Sequence, residues 1–158
     1  MFSESTLLVR PEHLNHHGFL FGGRLLEWLD EQAYIAAVSC VKPEANLVTI
    51  GIDRVAFKHA VRQGSLLRFR SLPVHVGHTS LTVFTQVFLL GSDELVDIFS
   101  AYVTFVCLDK KTKPRPIARL LRKPFTCDKL PSPEQRQHWH EVERARQNRK
   151  QHPRVFSS

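Results

Sequence analysis

Apolar residues repeat along this chain with two different periods. Between Gly22 and Val41 no proline interrupts, and no glycine follows Gly23. On a wheel of about 100° per residue, Leu25, Leu26, Leu29, Ala33, Ala36, Ala37 and Cys40 form one stripe, with Arg24, Glu27 and Glu31 opposite it. That pattern predicts an amphipathic helix, opened by the glycine pair and stopped before Lys42 and Pro43. The alanines in the stripe let the helix lie close to its packing partner, which should be a sheet.

Strand signals surround the helix. Residues 5–10 read as a short first strand that stops at Pro11, since proline cannot donate to a ladder. Residues 46–59, 65–76, 79–90 and 95–108 are rich in Val, Ile, Phe, Thr and Leu. Gly77-His78 and the stretch GSDE separate the last three as hairpin turns, so the pairing is antiparallel. LTVFTQVFLL and IFSAYVTFVCL are apolar on both alternating faces, so each should be covered by the helix on one side and by more protein on the other. The order is one strand, one long helix, then four strands, an α+β hotdog arrangement in which the helix is wrapped by a curved antiparallel sheet of about five strands. One helix cannot cover both faces or protect the sheet edges, which calls for at least a dimer.

After Asp109 the character changes to DKKTKPRPIARLLRKPF and then to PSPEQRQHWHEVERARQNRK, where Pro133 and Glu134 occupy helix-start positions. The expected division is a domain over residues 1–117 and a basic, partly helical tail over residues 118–158. Up to residue 109 the chain carries eight Lys and Arg against 11 Asp and Glu; after it, 14 against four. The net charge of +7 therefore arises from the basic residues after Asp109, most of them in the tail. The tail lacks the interleaved aromatic platforms that stack on bases, so nucleic acid is an unlikely partner.

At 158 residues, 42% apolar and 23% charged, the chain fits one globular domain. No stretch approaches the ~18 unbroken apolar residues of a membrane span, and the opening MFSESTLLVRPE has no basic segment followed by an apolar one. Cys40, Cys107 and Cys127 form no CxxC pair and suit reduced thiols in a cytoplasm.

Candidate chemistry gathers between Asn15 and Asp30, in NHHGFLFGGRLLEWLD. Asp30 falls on the flank of the apolar stripe, beside Leu26 and Ala37. Aspartate is a poor helix-interior residue, so its place there reflects either an ion pair or solvent contact at the boundary, or a partly desolvated carboxylate able to activate water or attack a carbonyl. The first-turn N–H groups of a helix have no internal partner, and Gly22 and Gly23 would let a substrate oxygen approach them; the pair could equally relieve crowding. His13, His16 and His17 invite a metal reading, but they sit in a loop rather than on a helix and have no cysteine partner, and loop capping is the ordinary alternative. His138 and His140 flank Trp139, where packing of the indole accounts for them.

The run Asn-His-x-Gly-x-x-Phe-Gly-Gly from Asn15, followed by Trp28-x-Asp30, resembles the hotdog acyl-CoA thioesterases of the bacterial acyl-CoA hydrolase type, related to the brain-type cytosolic hydrolases. Val48-Thr49, DRVAFKHAV, Gly64, VGHTSLTV, TFVCLD and KPRPI extend the likeness over most of residues 5–117. The resemblance implies hydrolysis of acyl-CoA to fatty acid and CoA-SH, with Asp30 as general base or nucleophile and Asn15 orienting the water or the carbonyl. It also implies a site shared between subunits, a homodimer as minimal unit, and further assembly into a trimer of dimers. No metal or cofactor is called for, because a thioester is already activated and coenzyme A is part of the substrate. Its phosphates call for cations, for which Arg54, Lys58, Arg62 and Arg115 are candidates, with Thr79 and Ser80 as donors. Lys58, Thr79 and Ser80 rank first because they sit in the matching motifs. The chain departs from the family at His78, where an arginine is usual, and at Lys58-His59-Ala60 in place of a lysine-proline pattern. A non-catalytic acyl-CoA sensor is the alternative, and would have no use for Asp30; a hydratase would need a histidine that this helix lacks.

Overall fold

The computed structural model describes residues 3–91 and 95–123, and Arg144. Strands β1 (Ser3–Leu8), β2 (Asn46–Phe57), β3 (Leu66–Val76), β4 (Ser80–Leu90) and β5 (Leu95–Leu108) form one sheet, and a single long helix, α1 (Gly22–Cys40), lies between β1 and β2 in sequence. The sheet is antiparallel throughout, in the order β1-β3-β4-β5-β2. The two strands that flank α1 are therefore the two edges. A helix of 19 residues is about 28 Å long, enough to carry the chain across the ~19 Å width of five strands. The first compact unit runs Met1–Phe125; the terminal helix expected from Pro133, with Cys127, Trp139 and their neighbours, lies outside the described residues.

The helix buries Leu25, Trp28, Leu29, Ala33, Ala36 and Ala37. Five of these six belong to the predicted stripe. Trp28, which the wheel left out, fills the flank, its ring edge-on to His13 at 4.7 Å and to Phe69 at 6.4 Å. Leu29, Ala33 and Ala37 are fully buried against the inward residues of the strands, among them Leu67, Leu81, Val83, Val103 and Phe105. Leu29→Ala should cost about 2–5 kcal/mol of stability, because the alanines beside it cannot close the cavity. Urea titration measures this, and a loss below about 1 kcal/mol would mean that the helix is not tightly seated.

The first strand ends at Leu8, earlier than residues 5–10 suggested. Val9 N–H bonds to Ser65 O at 2.9 Å, and Pro11 opens a 3-10 turn instead of a ladder position. On the outer face of the sheet Phe84 and Tyr102 are buried as well, their rings 4.8 Å apart, as the doubly apolar strands required. Burial pushes the Tyr102 phenol up to about 12, with the positive charge of Arg54 pulling the other way. Two buried hydroxyl pairs face each other across strands, Ser71 with Thr85 at 2.8 Å and Thr82 with Thr104 at 3.1 Å. No helix among the described residues is long and apolar enough to cross a membrane.

Candidate active site

The loop that precedes α1 is organised by Asn15. Its side-chain oxygen accepts from the N–H groups of His17 at 2.9 Å and Phe19 at 3.2 Å, while its own N–H bonds to Phe19 O at 2.7 Å. Gly18, at φ 77°, makes the return possible. Because both contacts on the Asn15 oxygen come from backbone donors, the side-chain orientation is fixed by chemistry, and Nδ2 is left as the group that can face a ligand. His13 belongs to the same support: its Nδ1 accepts from Arg10 N–H at 3.0 Å, and Phe21 N–H bonds to His13 O at 2.9 Å.

Phe21 is the N-cap residue of α1 and offers no side-chain cap. The N–H groups of Gly22 and Gly23 precede any helix-internal acceptor and remain available. The two glycines have different reasons to be there. A Cβ at Gly23 would come within 2.5 Å of the Phe21 ring, so this glycine relieves crowding. Gly22 instead lines a cleft of about 360 Å³, together with Asn15, Leu25, Phe57, Lys58 and Val61.

Asp30 is not part of that cleft lining. It stands half-buried two turns into α1, about 12 Å along the axis from Gly22, and its Oδ1 accepts from Thr49 Oγ1 at 2.9 Å. Thr49 was visible in the sequence only as part of the Val48-Thr49 match. Its role depends on strand β2 running antiparallel beside β5 so that Thr49, opposite Phe105, turns to the helix side. Within one chain the structure thus supplies a carboxylate and a set of carbonyl donors, and keeps them apart.

The six candidates for phosphate recognition separate in the same way. Lys58 and Arg62 stand at the cleft end of the sheet, where Phe57 pairs with Phe99. Thr79, Ser80 and Arg115 stand at the other end: Ser80 pairs with Val106, Cys107 N–H bonds to Thr79 O, and Arg115 N–H bonds to Cys107 O. Phe99 and Val106 are about 23 Å apart along β5. Arg54 sits in a bulge of β2 at φ 55°, its charge felt by Tyr102. Lys58, although at the cleft, has its ammonium on Asp97 Oδ2, which also accepts from Gln86 at 2.8 Å, so a phosphate would have to compete for it. Arg62 stacks over Phe19 at 5.2 Å, and Arg115 donates to Glu44 O at 2.8 Å. These partners are long-range, and no motif in the sequence announced them.

The chain matches the thioesterase superfamily over residues 17–95. The Bacillus subtilis protein YkhA, named as an uncharacterized acyl-CoA thioester hydrolase, is 32% identical over 159 residues, 97% of this chain and 86% of its own length. Mouse cytosolic acyl coenzyme A thioester hydrolase is 30% identical over 76% of this chain, which spans only 32% of that longer protein. Among solved structures, an apo hexameric acyl-CoA thioesterase is 28% identical, with a TM-score of 0.76 over 98% of this chain and 94% of that one. The acyl-CoA hydrolase of Staphylococcus aureus, in complex with butyryl coenzyme A, coenzyme A and coenzyme A disulfide, is 25% identical, with a TM-score of 0.70 over 94% of this chain and 93% of that one.

Proposed function

Because the chain belongs to the thioesterase superfamily, we propose that it is an acyl-CoA thioester hydrolase, releasing a free carboxylic acid and CoA-SH. The observation that carries the reading is the pairing of free donors at the cleft: Asn15 Nδ2 and the uncapped N–H of Gly22, both beside an apolar wall. Donors aimed at an oxygen that gains charge stabilise the tetrahedral intermediate of acyl transfer, each worth about 10²- to 10³-fold. With its oxygen committed to the loop, Asn15 acts on the thioester carbonyl as a donor. Asp30 supplies the base or nucleophile, and Thr49 holds one of its oxygens so that the other faces the reaction. The chemistry asks for no metal and no cofactor, since sulfur leaves readily as a thiolate.

A base must come within about 3 Å of the proton it takes, or one water away, so an Asp30 about 12 Å from Gly22 cannot serve the donors of its own chain. A second copy resolves this. Edge strand β2 forms one border of the sheet and carries the exposed apolar residues Ile50, Val55 and Phe57, while Phe21, Tyr34 and Ile35, on or beside α1, are exposed as well. A two-fold pairing across that border sets the Phe57 end of one β2 against the Asn46 end of the other. The partner's aspartate then faces the donors, and Thr79, Ser80 and Arg115 of the partner subunit approach the cleft that Lys58 and Arg62 flank. The hexameric architecture of a structural neighbour supports further assembly into a trimer of dimers, and we place the enzyme in the cytoplasm.

Release of free thiol across a series of acyl-CoAs tests the activity. Saturable acyl-CoA binding with no thiol released would replace the enzyme by a sensor. Thr49→Val keeps the β-branched shape and removes the bond to Asp30; it should lower kcat about tenfold, with KM within about twofold. A change confined to KM in steady-state kinetics would make Thr49 a binding residue instead.

A further inference from the structure

We propose that Phe57 and Gly22 together form a gauge that admits straight acyl chains and excludes those branched next to the carbonyl. This inference rests on the reading of the chain as an acyl-CoA hydrolase and names the substrate class within it.

Phe57 is the last residue of β2, opposite Phe99 in the register, with ring centroids 4.7 Å apart. Phe99 is fully buried, so the Phe57 ring rests on a part of the core that cannot yield. Phe57 as a whole residue is 55% exposed. On its other side begins α1, where a Cβ built on Gly22 would lie 3.4 Å from two of the ring carbons. The space between the helix backbone and the ring is thus about one methyl group wide at the residue whose N–H faces the cleft. The remaining apolar lining, Phe19, Leu20, Leu25, Ala60 and Val61, belongs to the same small cleft.

A carbonyl oxygen held by Asn15 and Gly22 places the first acyl carbons beside the Phe57 ring. The ring therefore limits girth at those carbons and does not measure total chain length, which is decided further from the donors. Phe57 lines the cleft and lies on the edge strand that pairs the subunits, so the readout is the ratio of rates on two substrates, which a loss of assembly would lower equally for both.

The measurement is kcat/KM for butyryl-CoA and isobutyryl-CoA, a straight and a branched chain of equal carbon number, with wild-type protein and the variants Phe57→Ala, Phe57→Leu and Gly22→Ala. Wild type should favour the straight chain by about tenfold or more. Phe57→Ala should raise the relative rate on the branched substrate about tenfold, with Phe57→Leu intermediate. Gly22→Ala keeps the N–H but fills the gap, and should move the ratio the opposite way. Phe57→Leu carries the test if Phe57→Ala fails to assemble as judged by light scattering. Equal wild-type rates on the two substrates, or a ratio that stays within twofold in all variants, would overturn the gauge while leaving the hydrolase intact. Failure to cleave any thioester overturns the hydrolase reading, and the gauge with it.

Discussion

Asp30→Asn is expected to lower kcat for acyl-CoA hydrolysis by about 10³-fold and leave the oligomer unchanged. The substitution is close to isosteric. An asparagine oxygen still accepts from Thr49, which in the native chain donates to Asp30 at 2.9 Å, so the helix and its contact to β2 are kept. What disappears is the ability to take a proton or attack a carbonyl. Alanine at the same position should lose as much, with the Thr49 contact gone as well. Thiol release under single-turnover conditions is the measurement, alongside light scattering for assembly. Turnover within about tenfold of wild type would remove Asp30 from the chemistry and return it to the ion-pair reading that its sequence position also allowed.

The second large effect is a recovery. Asn15→Asp preserves the acceptor that closes the loop through His17 and Phe19 but removes the amide donor, and should cost about 10²-fold in kcat. Mixed after joint refolding with Asp30→Asn chains, it should regain about one quarter of wild-type activity if the site is shared across a two-fold. Half of the dimers are then heterodimers. In each, one site inherits both substitutions and the other inherits neither. A site contained in one chain would always carry one defect, and no recovery in verified heterodimers would refute sharing.

The helix α1 followed from the spacing of its apolar positions, as observed. The candidates were singled out by different signals: Asp30, Gly22 and Gly23 by their places in that helix, and Asn15 by the family resemblance of the run around it. The strands from residue 46 on were equally plain, because turns at Gly77 and after Leu90 punctuate them. What the sequence could not reveal is set by contacts between distant segments. Edge position for β2, beside β5 and far from β1, is a property of the whole sheet. Thr49 acquires a meaning only once that strand brings its hydroxyl to Asp30. Lys58 read as a free cation until Asp97, from β5, came beside it. The different reasons for Gly22 and Gly23 depend on where the rings of Phe57 and Phe21 come to rest. Local periodicity carries no information about any of these.

The buried hydroxyl pairs bear on how the sheet finds its alignment. Displacing one strand by two residues leaves every side chain on its original face, so alternation of apolar and polar positions cannot detect the error. Such a displacement would set Ser71 opposite Val83 or Val87 instead of Thr85, and Thr82 opposite Tyr102 or Val106 instead of Thr104. Each stranded hydroxyl would cost about 1–3 kcal/mol in the dry interior. Ser71 with Thr85 and Thr82 with Thr104 therefore act as a key between β3, β4 and β5, rejecting the misalignments that greasy strands would otherwise tolerate during folding.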